Sequence, residues 1–374
     1  MEANIKKIIA KTFEEMATGL ETGSFGGVPK IALMGVGSEH GEAEMMEGAK
    51  MAAIRGNIVT HFIGGVDETE AMSIMEKMLA NGEVDGAVAM HYTFPIGVAT
   101  VGKVITPATG RSLYIATTTG TSATDRVAAM VRNAIYGIIA AKASGVENPS
   151  VGILNIDGAR QVERALRELA DKGYNINFTQ SKRADGGVFM RGNDVLNNPC
   201  DVLVCDSLTG NVLMKLLSSF TTGGSYEAMG FGYGPGIGES MNDLVLIVSR
   251  ASGAPVVAGA MEYAGQLARG DWRKVLKAEF AAAQAAGLRT VLEKITEKAA
   301  PAAVETVMAP PKEIVTAEIS GIEITELDDA VNALWKVGIY AESGMGCTGP
   351  IVLVNETRHE AAEKILTEAG FVSE

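Results

Sequence analysis

The run "SVGILNI", residues 150–156, is followed after "DGA" by "RQVERALRELADKG", residues 160–173. A short β-branched stretch running through a glycine turn into a longer helical segment is the signature of a βαβ unit. The same order recurs in both directions along the chain. "KIALMGVG" (30–37) precedes "EAEMMEGAKMAAIRG" (42–56), "RSLYIATTTG" (111–120) precedes "ATDRVAAMVRNAIYGIIAAKASG" (123–145), and "VDGAVAM" (84–90) and "CDVLVCDSLTG" (200–210) add further strands. Strands alternating with helices predict an α/β fold, a three-layer arrangement with a mostly parallel sheet covered on both faces.

At 374 residues the chain exceeds what one hydrophobic core usually serves. "PAAVETVMAPPK" (301–312) carries three prolines and no helix or strand pattern, so it reads as a linker. The expected division is a body over 1–300, a linker over 301–312, and a small C-terminal α+β unit over 313–374. In that unit "EIVTAEIS", "ELDDAVNALWKVG", "YAESGMGCTGPIVLV" and "TRHEAAEKILTEAG" read as strand, helix, strand-loop-strand and helix.

The net charge is -13, and no basic run stands out, which argues against nucleic acid and anionic membrane as partners. The start of the chain mixes Lys and Glu through its apolar positions, unlike a secretion signal, and no run of about 18 apolar residues is present. A cytoplasmic protein is expected. Cys200, Cys205 and Cys347 form no CxxC pair, and His40, His61, His91 and His359 are scattered singly, so neither a disulfide framework nor a metal site is expected.

In parallel sheets ligands sit beyond the carboxyl ends of strands. "CDVLVCDSLTGNVLMKLL" passes from strand to helix through Asp206, Ser207, Thr209, Gly210 and Asn211. Such a loop serves an anion or simply caps the helix, and both readings stand. "GFGYGPGIGESMNDLVLIVSRASGAPVV" (230–257) places glycines, including Gly236 and Gly238, before a strand that ends at Ser249-Arg250-Ala251-Ser252. Arg250 between hydroxyls suits a phosphate, although a surface arginine in a turn is the plain alternative. The glycine spacing precedes a strand instead of following one, so it is not a dinucleotide fingerprint. "MGVGSEHGE" (34–42) and "IATTTGTSATDR" (115–126) add further hydroxyl- and glycine-rich turns, expected at the same edge. A phosphate-bearing substrate is the economical reading. Cys200 and Cys205 flank an apolar strand and read as core residues. Cys347, within "ESGMGCTGP" (342–350), is either a thiol whose glycine-flanked amides favour thiolate chemistry or an incidental turn residue.

"NPSVGILNIDGARQV", "CDVLVCDSLTGNVLMK", "MGVGSEHGE" and the glycine run before "SRASGA" resemble PlsX, the phosphate acyltransferase that makes acyl phosphates, and less closely phosphotransacetylase. The resemblance spans about residues 28–270. It implies a sheet of the PlsX/phosphotransacetylase kind, also seen in isocitrate and isopropylmalate dehydrogenases. The tail with "GMGCTGP" is not part of PlsX; a PlsX-like body carrying it resembles the component C alpha subunits of glycine/sarcosine/betaine reductases.

That resemblance implies transfer of an acetyl group from a protein thioester to inorganic phosphate, with no other cofactor. It implies as partners a ketoacyl-synthase-like component C beta subunit and a selenoprotein component, within a homo- or hetero-oligomer. The "NDLSRG" segment of phosphotransacetylase looks matched by Asn242-Asp243-Leu244 and Ser249-Arg250, separated by four extra residues. That family's catalytic aspartate falls near Val256 here, which puts a general base of that type in doubt. The expected site comprises Cys347, Arg250, Ser249 and Asn211 for catalysis, with Ser207, Thr209, Gly210, Lys215, Ser252, Gly236 and Gly238 holding phosphate. Alternatives are an acyltransferase using acyl-carrier protein or coenzyme A, and a non-catalytic scaffold.

Overall fold

The computed structural model describes residues 12–13, 16–17, 27–181, 187–298, 307–323, 326–346 and 349–372. Cys347 lies outside them, as does the first half of the expected linker; residues 307–312 carry no helix or strand. The main sheet comprises β1 (Lys30–Met34), β2 (Val59–Ile63), β3 (Gly86–Ala89), β4 (Val98–Ile105), β5 (Ser112–Thr121), β6 (Ser150–Leu154), β7 (Asn177–Phe178), β8 (Phe189–Met190), β9 (Val202–Val204), β10 (Gly234–Ile237) and β11 (Val245–Ile247). Around it lie α1 (Glu42–Arg55), α2 (Glu68–Ala80), α3 (Arg126–Ala143), α4 (Ala159–Asp171), α5 (Gly192–Asn197), α6 (Ser207–Ser219), α7 (Ala254–Arg269), α8 (Trp272–Ala285) and α9 (Leu288–Lys298).

The β-branched runs become strands buried on both faces. Val151 and Ile153 of β6 are fully buried, and each such side chain contributes roughly 2 kcal/mol through removal from water. On α4 the residues Val162, Leu166 and Leu169, spaced at helical period, are buried against the sheet side. Helices α2, α3 and α6 start on aspartates, Asp67, Asp125 and Asp206, whose side chains accept from the amides of Glu70, Ala128 and Thr209.

Strand order is β2-β1-β3-β11-β10-β4-β5-β9-β6-β7, with β8 also paired to β6. The sheet is mixed, and the way it is mixed matters for the site. β10 is antiparallel to both β11 and β4, and β4 is antiparallel to β5. The parallel set β2-β1-β3-β11 therefore runs opposite to the parallel set β5-β9-β6. Strand exits after β1 and β11 consequently do not share an edge with those after β5, β9 and β6, so the expected single edge of anion-friendly turns is divided in two. The physical cause is the short β4–β5 connection, whose length permits only an antiparallel return.

A second sheet, β12 (Ala317–Ser320), β13 (Ala341–Gly346) and β14 (Gly349–Val354), is antiparallel in the order β12-β14-β13. With α10 (Leu327–Lys336) and α11 (His359–Glu368) it encloses its own apolar cluster around Ile319, Leu334, Val352 and Leu366. Among the described residues no helix is long and apolar enough to cross a membrane.

Candidate functional site

Strand β11 leaves the core at Val248 and turns at once. Two serines lock the turn: the Ser249 amide donates to Ser252 Oγ at 3.0 Å, and the Ala251 amide donates to Ser249 Oγ at 3.0 Å. Ser252 is fully buried. Its hydroxyl donates in turn to Glu227 Oε2 at 2.8 Å. Glu227 is carried there by backbone pairing, because its amide donates to the Ala251 carbonyl at 3.1 Å and its carbonyl accepts from Gly253 at 3.0 Å.

Glu227 is only 2% exposed. A carboxylate so placed needs every oxygen satisfied. Oε1 accepts from Lys215 Nζ at 2.7 Å and from the Tyr233 hydroxyl at 3.0 Å. Burial, followed by the nearby Glu227 charge, pushes the Tyr233 phenol far above its usual range, so it remains a donor. Lys215 also donates to Ser249 Oγ at 2.8 Å. Although its partner is buried, the lysine side chain is 47% exposed. Its stem thus spans from core to solvent beside Ser249.

Next to Ser249, the Arg250 guanidinium is 52% exposed and donates to Glu68 Oε1 at 2.9 Å and to the Gly37 carbonyl at 3.4 Å. The Arg250 carbonyl accepts from the Glu39 amide at 2.9 Å, tying the β11 exit to the loop after β1. His40 Nε2 lies 3.2 Å from the Ala251 carbonyl, and its ring packs on Tyr226. The Tyr226 hydroxyl donates to Glu44, which also accepts from the Ala254 amide at 2.8 Å. Those bonds hold Glu44 below the usual carboxylate range, while burial and Glu44 push Tyr226 up to about 12. Beyond Glu68 opens a cavity of about 470 Å³ lined also by Thr69, Met72, Ser73, Glu76 and His91.

Helix α6 links this centre to the other edge of the sheet. At its start Asp206 accepts from the Thr209 amide at 3.0 Å and hydroxyl at 2.7 Å, and Arg126 lies 3.4 Å away. Burial opposes ionisation of Asp206, but the Thr209 bonds and Arg126 outweigh it and hold its pKa below the ordinary value. The carboxylate of Asp206 therefore takes the place that a bound anion would have at this helix end. Gly210 abuts Thr117 so closely that an added Cβ would lie 1.8 Å from its carbonyl oxygen. Asn211 donates to the Thr118 carbonyl at 3.1 Å. One helical turn separates Asn211 from Lys215, whereas Ser207 stands about 12 Å from Lys215 along the axis.

Of the expected residues, the structure brings together Lys215, Ser249, Arg250 and Ser252, with Asn211 a turn away. Ser207, Thr209 and Gly210 sit at the far end of α6. Gly236 and Gly238 lie in β10 and just beyond it; since Gly234 pairs with Ile247, they extend away from Ser249. Cys200 and Cys205 are buried in one apolar cluster, and burial pushes the Cys200 thiol up to about 12. Sequence reasoning missed Glu227, Tyr233 and Glu68. Tyr233 stood inside the quoted glycine run, but no spacing rule links it to Glu227 or either of them to Lys215.

The sequence matches the family described as "Fatty acid synthesis protein" over residues 29–353. It is 54% identical to the glycine/sarcosine/betaine reductase complex component C subunit alpha of Peptoclostridium acidaminophilum, over 99% of this chain and 100% of that one. It is also 39% identical over 87 residues to the phosphate acyltransferase of Acetivibrio thermocellus, 22% of each chain. With the phosphate acyltransferase of Staphylococcus epidermidis the identity is 30% over 165 residues, 39% of this chain and 48% of that relative.

Proposed function

We propose, because this chain belongs to the fatty acid synthesis protein family, that it transfers an acetyl group from a protein thioester to inorganic phosphate as the alpha subunit of a reductase component C. The observation that carries this reading is the bond from the half-exposed Lys215 to the Ser249 hydroxyl, with the half-exposed Arg250 the next residue on the same locked turn, in a chain of net charge -13. Two cationic heads and a hydroxyl on a locked turn suit a phosphate dianion.

In the proposed step a phosphate oxygen attacks the thioester carbonyl. The new C–O bond replaces the C–S bond, and the proton of hydrogen phosphate passes to the departing thiolate. Phosphate is already anionic at neutral pH, so positioning and charge neutralisation matter more than a general base. Lys215 and Arg250 would bear that load, and Asn211 and Ser252 would fix the surroundings. The thioester is placed on Cys347 of the C-terminal unit or on a cysteine of a partner. The partners proposed are a component C beta subunit and a selenoprotein component, on the strength of the name of the 54% identical relative and the family resemblance.

Incubating the purified chain with acetyl phosphate and mapping acetylated residues by mass spectrometry tests the reading. Acetyl on Cys347 that disappears in Cys347→Ser supports it, and acetyl phosphate left untouched with no labelled residue, both by the chain alone and with the partner subunits added, refutes catalysis by this chain. One observation favours a scaffold instead: both cations already face carboxylates, Lys215 on Glu227 and Arg250 on Glu68. Arsenate-dependent breakdown of acetyl phosphate by the isolated chain would eliminate the scaffold.

A further inference from the structure

The C-terminal unit meets the body at the start of α4 through Glu323 and Glu326, which lie between β12 and α10. Gly158 precedes α4 at φ 87° and offers no side-chain cap; the Ala159 amide turns back to the Ile156 carbonyl at 3.0 Å, which leaves the Gly158 and Arg160 amides to be capped. Their acceptor comes from 165 residues away. Glu323 Oε2 accepts from the Gly158 amide at 3.0 Å, and Glu323 Oε1 accepts from the Arg160 amide at 2.5 Å. The residue is 6% exposed. A carboxylate at this position also meets the positive end of the helix dipole.

A second carboxylate reinforces the first. Glu326 accepts from Arg164 NH2 at both oxygens, 2.9 and 3.0 Å, and from Gln161 Nε2 at 3.3 Å. Arg164 further donates to the Gly370 carbonyl. Arg160, which stacks on Phe189 at 4.1 Å, flanks Gly321.

The apolar clusters tell the complementary story. Among the described residues, the cluster around Ile319, Leu334 and Val352 holds only residues from Ala317 onward, and the clusters of the body end at Ile295. Separation would therefore hydrate carboxylates, amides and a guanidinium without opening a hydrophobic core shared by both parts. Polar contacts of this kind weaken with salt, whereas a shared apolar core would not.

We propose that Glu323 and Glu326 form a releasable latch on the first turns of α4, so that the C-terminal unit exchanges between docked and undocked positions while each part stays folded. The latch does not depend on the acyl-transfer reading. If that reading holds, release sets how far the end of the unit where β13 and β14 meet is able to move.

Amide hydrogen exchange on the full chain tests the latch through Glu326→Gln and Arg164→Ala, neither of which removes the acceptor of the Gly158 and Arg160 amides. Undocking predicts exchange at those two amides faster by about tenfold or more in both variants, and in the unaltered chain at roughly 0.5 M salt. Protection of Leu334 and Val352 should stay as before. Small-angle scattering of Glu323→Gln should show a larger radius of gyration. Unchanged exchange at Gly158 and Arg160 in both variants overturns the proposal, as does loss of protection at Leu334 and Val352 together with them, since the two parts would then be one cooperative unit.

Discussion

Lys215 Nζ stands 2.7 Å from Glu227 Oε1, and one of the two residues is half-exposed while the other is buried. The lysine thereby neutralises an almost wholly buried carboxylate and still presents its head to a ligand. A group with both duties links stability to binding.

Lys215→Met should cost stability as well as activity. It leaves Glu227 with Tyr233 and Ser252 as its side-chain donors among the described residues, and an uncompensated buried charge costs about 3 kcal/mol, reduced to roughly 2 here by the solvent access along the lysine stem. Urea unfolding measures this, and acetyl phosphate turnover should fall about a hundredfold. An unchanged unfolding midpoint would show that the two hydroxyls suffice for Glu227.

Arg250 and Glu68 should affect phosphate in opposite directions. Arg250→Ala removes a charged donor, worth about 1.5–3 kcal/mol, so phosphate KM should rise roughly tenfold or more. Glu68→Gln frees the guanidinium from its 2.9 Å partner and should lower phosphate KM a few-fold. Phosphate saturation curves for both variants decide the matter; a KM unmoved by Arg250→Ala removes Arg250 from the site.

Gly210→Ala separates packing from ligand binding at the start of α6. The added methyl would meet the Thr117 carbonyl oxygen at 1.8 Å, a backbone atom that cannot step aside cheaply. Overpacking predicts a loss of about 3 kcal/mol or more, or failure to fold. A stable variant with weakened phosphate binding would instead make Gly210 a ligand contact.

Lys103 supplies a pH test remote from the site. It is 6% exposed, donates to Gln266 at 2.9 Å, and lies over the rings of Tyr114, Phe231 and Tyr263. Burial lowers its pKa from 10.5 to about 8, with Glu262 opposing. Between those values the unfolded chain holds the extra proton, so this lysine makes stability rise with pH there, and its full penalty of about 3 kcal/mol applies below pH 8. Lost ring contacts offset part of the gain from removing it. Lys103→Met should therefore be more stable than the parent by about 1 kcal/mol at neutral pH, with the difference shrinking as pH rises through the window. Melting temperatures at neutral and alkaline pH check this, and a difference constant with pH would mean that Lys103 titrates as an ordinary lysine.

The sequence by itself determined the α/β class, because β-branched runs followed by amphipathic helices such as 160–173 have one efficient way to bury their apolar faces. It also marked the turn after β11, since Ser249, Arg250 and Ser252 are neighbours along the chain. What only the tertiary structure decided is which side chains those residues meet. Pairing between distant segments sets β10 between β11 and β4 and antiparallel to both, so that the local β4–β5 return leaves β5 and its neighbours opposed to β11; that arrangement parts the amino end of α6 from the β11 exit while bringing Lys215 to it. Glu227, Glu68 and Glu323 reach their partners across separations that no local period encodes. Their roles arise because buried charge must find a counter-charge or donor wherever the folded chain brings one.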